Sequence, residues 1–587
     1  MLRYIIVFFL FLGCQRQFQK APASSHKVLR TCFSQDPTTL DPTRSSDFIS
    51  SSLICLLYEG LTRCTGGSEV SMALANKVEI SPNGKTYLFF LRKSFWTDGH
   101  PVTARDFEKS WKKILDPQFL APCAYLLYPI KNAERYAKGL CPVEDVAIYA
   151  VNDLTLRVDL EVQTPYFLSL TAFPLYLPSP SHLEMGTSYW TGKSKSYLVT
   201  NGPFYLERFQ PGVEISLKKN SRFWNPSQIA LDQIHISIIP NAMTAMQLFE
   251  KGELDLVGGP FLPLTNDVIE GWKRHNSLYF LPMAASTFCT MNTTSFPFNN
   301  FALRKALSLA IEGSFSQEIL EMGQIPAERF LPPSLEAEQN ALYTARNAKT
   351  YFTKRNCQNI CQAQLMQKQS KLENMRDVAA EKSRVLAQAE SVLDLSAARR
   401  KQGEKSPAEW LAQALEELQI TKEDLKSLSL YYRTNPLEKK VAQTLQKMWA
   451  ETLGIFISIE QIEPKALAQK LYHKNYQISI ASWIAQFHDP INILDRFKDV
   501  ENQKNYSGWT SPLYKECLRQ IVYTRDPDAR MGQVLQAAEL LETAAPLIPL
   551  YHWSSPVLIN PRVQNLETTH AGGVLLERCS ILELIDK

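Results

Sequence analysis

Residues 95–111 read FWTDGHPVTARDFEKSW, a stretch that joins a tight turn to the start of a helix. The Asp-Gly pair favours a turn, because glycine adopts the backbone angles that tight turns require. Thr103 is expected to begin the helix, since its side chain can accept hydrogen bonds from backbone N–H groups of the first turn. Asp116-Pro117 is expected to end it, because the residue before a proline avoids helical geometry. The preceding β-rich segment KTYLFFLRK, residues 85–93, predicts a strand.

Strand and helix signals alternate from Val28 onward, which predicts a mixed α/β fold. Further strands are expected in LTLRVDLEV (154–162) and VEISLKK (213–219), which alternate with period two. The 587 residues, 45% of them hydrophobic, suffice for two or three domains. The 63 basic residues exceed the 59 acidic ones by only four, so no basic surplus exists to neutralise phosphates and nucleic acid is not an expected partner.

The chain begins MLRYIIVFFLFLGC, in which one early cation is followed by an apolar run and then by Gly13 and Cys14. This order is typical of a secretory signal, predicted over residues 1–13, and the apolar run is too short for a membrane span. Cys14 resembles the acylated cysteine of a bacterial lipoprotein, although Phe11 and Leu12 depart from the usual residues before it. Residues 14–27 would then be a tether, and the alternative is a plain signal or anchor with an incidental cysteine. Export follows under either interpretation.

Ten further cysteines contain no C-x-x-C pair, which argues against a zinc ribbon or a thioredoxin-like redox site. Some of them are expected to form disulfides after export, in pairs that the sequence does not assign. Cys357 and Cys361 would share a helix face, but they lack nearby His or acidic ligands. No metal and no cofactor is predicted.

Seven segments occur in an order that a known family shares. They are LDP (40–42), LLYEGLTR (56–63), FWTDGHPVTARDFEKSW (95–111), NGPFYLERF (201–209), LKKNSRFWN (217–225), LPMAASTFCTMNTTSFPFNNFALRKALSLAIE (281–312) and LYYRTNPLEKKVAQTLQKMWAETLGIFISIE (430–460). The chain thereby resembles the oligopeptide- and dipeptide-binding proteins of bacterial ABC importers. The likeness covers most of residues 28–330 and 411–587.

The resemblance implies a two-lobed fold like that of periplasmic binding proteins, with discontinuous domains. Lobe I would comprise residues 28–50, 186–280 and 557–587, with a smaller inserted domain at 51–185 and lobe II at 281–556. In such proteins the lobes close by a hinge motion around an extended peptide, whose backbone hydrogen bonds give affinity. The implied protein is a monomeric periplasmic lipoprotein that binds a peptide and delivers it to membrane permease subunits.

SWIAQFHDPINIL, residues 482–494, holds the principal candidate ligand-binding residues. Trp483 stands at the family's tryptophan and is expected to form a wall of the pocket. Gln486 stands where the family commonly has an aspartate that receives the peptide's α-ammonium. A neutral amide cannot offset the cost of burying that charge, so recognition of the amino end is expected to differ here.

Asp489 is a candidate ligand contact that is better explained as a helix cap. An aspartate followed by a proline fits an N-cap with Pro490 at the first helical position. Ile491, Leu494 and Phe497 would then form one apolar face. One residue can serve as both cap and ligand contact.

The resemblance adds five further candidates for ligand binding: Tyr431, Tyr432, Asn292, Ser46 and Phe48. Alternation along a strand is expected to send one of the two adjacent tyrosines into the core.

Four positions depart from the family's pattern. Ile480 replaces an arginine and Glu438 replaces a histidine, which in the family hold a short peptide's free carboxylate, while Cys123 and Pro464 replace pocket aromatics. Because charged ends need charged partners, an ordinary free tri- or tetrapeptide is not the expected ligand. The alternatives are long, capped or cell-wall-derived peptides and a non-peptide polar or metallated solute.

Residues 353–410 form a polar, helix-prone insertion relative to the family and predict a helical hairpin within lobe II. RRKQGEKSP interrupts the pattern before AEWLAQALEEL restarts it. The alternatives are a helix packed on its own lobe and an arm that docks a partner protein, as in a surface scaffold. Steps of three and four residues separate Leu372, Met375, Ala379, Lys382, Leu386, Ala389 and Leu393.

Motifs for catalysis are incomplete, so no enzymatic activity is predicted. SWKK at 110–113 matches the S-x-x-K of penicillin-binding proteins, but no S-D-N or K-T-G accompanies it. The sequence has no H-E-x-x-H, G-x-S-x-G or P-loop, and His488 with Asp489 makes no triad without a nucleophile and an oxyanion site.

Overall fold

The structure is a computed structural model that describes residues 27–66, 70–183, 198–273, 275–311, 320, 323–335, 405–524, 526–569 and 572–582. The predicted signal peptide, Cys14, and residues 353–404 of the predicted insertion lie outside the described residues. The domain boundaries stay predictions, and the names lobe I, inserted domain and lobe II denote the predicted ranges below. In the described part of the chain, no helix combines the length and apolar character needed to cross a membrane.

Helices and strands alternate along the chain, as the sequence predicts. The α-helices are α1 Phe48–Leu57, α2 Ala104–Ile114, α3 Ala133–Ala137, α4 Phe167–Leu170, α5 Ala242–Glu250, α6 Asn266–Trp272, α7 Phe301–Leu309, α8 Pro407–Leu418, α9 Pro436–Leu453, α10 Pro464–Tyr472, α11 Ile491–Leu494, α12 Pro512–Tyr523 and α13 Pro527–Ala544. The strands are β1 Val28–Phe33, β2 Thr62–Cys64, β3 Val70–Met72, β4 Ala75–Ile80, β5 Thr86–Leu91, β6 Ile148–Asn152, β7 Thr155–Asp159, β8 Phe204–Gln210, β9 Glu214–Lys219, β10 Gln233–Ile238, β11 Leu256–Gly258, β12 Leu278–Met291, β13 Ile325–Pro326, β14 Ser429–Arg433, β15 Ser458–Ile462, β16 Ile478–Ile484, β17 Leu547–Ile559, β18 Val563–Gln564 and β19 Ser580–Ile581.

The local predictions around the opening motif are confirmed. Strand β5 lies within residues 85–93, and helix α2 begins directly after Thr103 and ends before Asp116-Pro117. The backbone N–H of Thr103 donates to the Asp106 carboxylate at 2.8 Å, which satisfies a donor at the helix start. The strands predicted at 154–162 and 213–219 are β7 and β9, and AEWLAQALEEL lies in α8.

One eleven-stranded sheet connects the two lobes. Its order is β15-β14-β16-β12-β17-β11-β1-β10-β9-β8, with β13 paired to β17. The central pair, β12 and β17, is antiparallel and joins the lobe II strands on one side to the lobe I strands on the other. The inserted domain has its own antiparallel sheet of order β4-β5-β7-β6.

The central strand pair is irregular where it passes between the lobes. Leu278–Pro282 pair with residues of β17, and pairing resumes at Ser286 opposite His552 after a register shift. A shift of this kind interrupts the ladder and bends the strand, which suits the connection between two lobes. Oγ of Ser286 lies 2.8 Å from Nδ1 of His552, and both residues are buried.

The expectation of disulfides is not met among the described residues. The eight cysteines there are free thiols: Cys32, Cys55, Cys64, Cys123, Cys141, Cys289, Cys517 and Cys579. Burial raises the pKa of Cys32 and of Cys55 to about 12, so these thiols are poor nucleophiles.

Candidate functional site

The inserted domain meets lobe II at Tyr125 and Gln486. Tyr125 lies in the 3-10 helix Ala124–Leu127, and its hydroxyl donates to Oε1 of Gln486 at 2.8 Å. Next to this contact the rings of Tyr166 and Phe487 stack with centroids 4.8 Å apart. The loop that follows β16 and the inserted domain are therefore in direct contact at the place where the resemblance predicts the binding cleft.

Trp483 lies one residue before the end of β16, opposite Ser286 in the neighbouring strand β12. Its side chain is half-buried against the core, and the guanidinium of Arg496 lies on its ring face. The indole Nε1–H is buried and has no hydrogen-bond partner among the described residues.

Arg496 is a buried cation within an apolar segment. It lies in the 3-10 helix Asp495–Phe497 after α11 and is 7% exposed. Its Nε donates to the carbonyl oxygen of Asn492 at 3.0 Å, but Nη1 has no acceptor in the described part of the chain. Burial lowers the pKa of Arg496 to about 8.

Lys504 places a second cation at the same cleft. Its ammonium lies 4.1 Å from the centroid of the Tyr125 ring, within the range of a cation–π contact. Burial and the nearby charge of Arg496 both lower the pKa of Lys504. Two cations from lobe II thus lie close to a tyrosine of the inserted domain.

Asp489 stabilises the start of a helix and also forms an ion pair. Its Oδ1 accepts from the backbone N–H of Ile491 at 2.9 Å, and its Oδ2 lies 2.9 Å from Nη2 of Arg530. The predicted N-cap is wrong by one residue, because helix α11 begins at Ile491 and Pro490 is its N-cap, so Asp489 lies one residue before the cap. The predicted apolar face is confirmed, because Ile491, Leu494 and Phe497 are all buried.

The other lobe II candidates differ in their surroundings. Tyr431 is half-buried and lies beside Lys470, whereas Tyr432 is 4% exposed and packs in the lobe II core. The amide of Asn292 donates to the carbonyl oxygens of Lys474 and Tyr476. A ligand contact at these positions stays a prediction, and Tyr432 and Asn292 are the least available for one.

Ser46 and Phe48 lie together at the start of α1 in lobe I. Ser46 is exposed, and Phe48 is half-buried with its ring 5.6 Å from that of Phe261. Asp47 between them caps the helix by accepting from the backbone N–H of Ser50 at 2.8 Å. A ligand contact at Ser46 or Phe48 stays a prediction.

The positions that depart from the family's pattern are taken up by packing and by internal pairs. Ile480 is fully buried in the lobe II core, and Pro464 begins α10. Glu438 is 1% exposed and accepts from Nε of Arg433 at 2.7 Å, so its charge is neutralised. Cys123 lies two residues before Tyr125, which supplies an aromatic ring nearby.

An exposed cluster of Asp98, His100 and His182 was not anticipated from the sequence. Its potential metal-ligating atoms lie within 4.8 Å of one another, and Nε2 of His182 is 2.7 Å from Oδ2 of Asp98. The imidazole rings stack with centroids 4.1 Å apart. The spacing could hold a divalent cation, but a hydrogen-bonded His–Asp pair explains it equally well.

Sequence reasoning also missed Tyr125, Arg496 and Lys504. Arg496 directly follows Asp495 in INILDRF, so its neighbours in the sequence do not indicate that it is buried.

Comparison with known proteins agrees with this architecture. Residues 69–505 match the family of bacterial extracellular solute-binding proteins, family 5 Middle. The chain is 30% identical over 538 residues to the oligopeptide-binding protein OppA of Bacillus subtilis, covering 91% of this chain and 89% of that protein. It is 28% identical over 556 residues to the dipeptide-binding protein DppE of the same organism, covering 94% and 92%. The structure of the unliganded, open MppA periplasmic murein tripeptide binding protein superposes with a TM-score of 0.73 at 21% identity, covering 95% of this chain and 98% of that one, and supports the fold alone.

Proposed function

This chain belongs to the family of bacterial extracellular solute-binding proteins, family 5, and from that membership we propose that it is the extracytoplasmic receptor of an ABC importer. It binds peptides in the cleft between the inserted domain and lobe II and delivers them to a membrane permease. The observation that carries this proposal is the likeness to an oligopeptide-binding protein over 91% of the chain. The receptor role leaves no chemical step for the protein, and binding alone is its activity.

The residues at the positions where the family binds the two ends of a peptide distinguish this receptor from a receptor for short free peptides. Gln486 is neutral and is engaged by Tyr125, Ile480 is buried in the core, and Glu438 is neutralised by Arg433. None of these side chains suits a charged peptide terminus. Long, capped or cell-wall-derived peptides are therefore the proposed ligands.

Mass spectrometry of the small molecules that co-purify with the protein tests this function. A mixture of peptides is the expected result. A single non-peptide solute would instead favour a receptor for another polar or metallated compound. An empty cleft would favour a surface scaffold that uses the insertion at 353–410.

Gln486→Asp is expected to strengthen binding of peptides with a free amino end by about 10-fold or more, because a carboxylate offsets the cost of burying an ammonium. Isothermal titration with a free-amine peptide mixture and its N-acetylated counterpart measures the change. Gln564→Asp, at an exposed position of β18, is the control for an added charge. Equal affinity of the Gln486→Asp variant and the unaltered protein for free-amine peptides would refute the role given to this position.

Anchoring through Cys14 is proposed together with cleavage of residues 1–13. Cys14→Ser is expected to move the protein from the membrane fraction to the soluble fraction, since acylation requires the thiol. Immunoblotting of the two fractions measures the shift, and Cys141→Ser serves as the control. Unchanged membrane association of the Cys14 variant would contradict the anchor.

A further inference from the structure

Two buried donors without a partner belong to neighbouring side chains, close to the contact between the inserted domain and lobe II. Nη1 of Arg496 and Nε1 of Trp483 are both buried without an acceptor among the described residues, and the guanidinium lies on the indole ring. A buried donor without a partner is costly, so native proteins keep few of them. Two neighbouring ones that lack an acceptor among the described residues mark a place where a bound ligand could supply one.

The two cations also have no ion-pair partner among the described residues. The nearby carboxylates of Asp489 and Glu438 are paired with Arg530 and Arg433. The charge of the adjacent Asp495 raises the pKa of Arg496 only in part against the effect of burial, and in the described part of the chain no carboxylate forms an ion pair with Arg496 or Lys504. A buried guanidinium is held in this state only at a free-energy cost, which a bound anion would remove.

Resting on the proposed function, we propose that Arg496 and Trp483, with Lys504 beside them, bind a carboxylate group of the peptide ligand. A guanidinium offers a planar set of N–H donors that matches the two oxygens of a carboxylate, and the indole N–H adds a further donor. Lys504 contributes a more exposed positive charge at the rim. The receptor therefore selects peptides that carry a free carboxylate at this position.

Gln486 and Tyr125 complete the subsite without adding a negative charge. Their hydrogen bond of 2.8 Å closes the inserted domain over lobe II next to the two cations. An anionic group is thus accommodated here, while an ammonium group has no carboxylate to receive it. The carboxylate can come from the peptide's C-terminus or from an acidic side chain, and both sources have the same chemistry.

Calorimetry with four N-acetylated pentapeptide mixtures distinguishes the sources. One pair lacks acidic residues and carries either a free or an amidated C-terminus, and a second, amidated pair contains either Glu or Gln. The carboxylate-bearing member of at least one pair is expected to bind about 10- to 100-fold more tightly. Preference within the first pair identifies the C-terminus as the source, and preference within the second identifies the side chain.

Arg496→Met is expected to abolish that preference. Arg496→Lys is expected to retain part of it, because a lysine keeps the positive charge but lacks the planar set of N–H donors. Lys504→Met is expected to weaken binding of the carboxylate-bearing member less than the Arg496 change, since the Lys504 side chain is more accessible to solvent than that of Arg496. Arg519→Met, an exposed arginine of α12 paired with Glu516, is the matched control.

Thermal unfolding of the unliganded protein separates binding from structural support. Removing a buried, unpaired charge is expected to leave the melting temperature of the Arg496→Met variant unchanged or to raise it by about 1–3 °C. A marked fall in melting temperature for both Met and Lys variants, with acidic and neutral peptides affected alike, would overturn the subsite.

The remaining outcomes separate the two proposals. The carboxylate subsite is overturned if the unaltered protein binds both members of each pair equally, or if the preference for the carboxylate-bearing member survives Arg496→Met. Either outcome leaves the peptide receptor intact. Binding of none of the four mixtures overturns the carboxylate subsite, and the small molecules that co-purify with the protein then decide whether the peptide receptor stands.

Discussion

Arg63→Met is expected to lower the free energy of unfolding by about 3–5 kcal/mol at neutral pH, because it leaves two buried carboxylates without a cation. Arg63 Nε lies 3.1 Å from Glu59, and Nη1 lies 3.2 Å from Glu577 near the C-terminus. The glutamate side chains are only 2% and 4% exposed. Nη2 also donates to the carbonyl oxygen of Cys55 at 2.7 Å. Urea unfolding followed by circular dichroism measures the loss.

The exposed pair of Arg157 and Asp159 provides the control. Arg157 is 50% exposed, so Arg157→Met is expected to cost at most about 1 kcal/mol. Burial raises the pKa of Glu59 in spite of the nearby charge of Arg63. As the pH falls, the Glu59 carboxylate is therefore protonated in the folded protein before it is protonated in the unfolded protein. The destabilised variant should consequently regain stability as the pH falls toward that unfolded value. Equal losses from Arg63→Met and Arg157→Met would contradict the buried network.

Loss of stability on acidification is expected to depend strongly on His552. Burial lowers the pKa of this histidine to about 3, whereas an unfolded histidine titrates near pH 6.5. Between these two pH values His552 is protonated in the unfolded state but neutral in the folded state. The free energy of unfolding therefore decreases as the pH drops from about 6.5 toward 3. By pH 4 the difference amounts to about 3 kcal/mol.

His552→Gln should remove this contribution and keep a polar group near Ser286. The difference in free energy of unfolding between the unaltered protein and the variant is expected to shift by about 3 kcal/mol between pH 7 and pH 4. His473→Gln, at an exposed position, should leave the corresponding difference nearly constant. Parallel loss of stability in the unaltered protein and the His552 variant would show that this histidine does not control the acid response.

Much of the fold is encoded in local patterns. The turn and cap around Thr103 place α2, the alternation at 154–162 and 213–219 places β7 and β9, and the apolar spacing after Asp489 places the buried face of α11. These features depend on neighbouring residues, so their physical cause can be recognised in a short window.

The pairing of Asp489 with Arg530 could not be recognised in this way. The two residues of this ion pair lie 41 positions apart in the sequence. They meet because α13 packs beside the loop that precedes α11. A cap and an ion pair place the same demand on the residue type, so an aspartate at this position is compatible with either role. The tertiary structure shows the ion pair together with a hydrogen bond from the backbone N–H of Ile491, while Pro490 and not Asp489 occupies the N-cap position.

By itself the sequence determined the family, the mixed α/β fold and the neutral side chain at position 486. The tertiary structure decided which charges meet in the cleft. Tyr125 and Gln486 are separated by 361 positions and come together because one sheet and an inserted domain bring their loops face to face. In the sequence, Arg496 next to Asp495 suggests a pair of charges on the solvent-exposed surface. Only the burial of Arg496 in the folded protein distinguishes it from an arginine in such a pair. Long-range packing sets that burial, and no local pattern contains it.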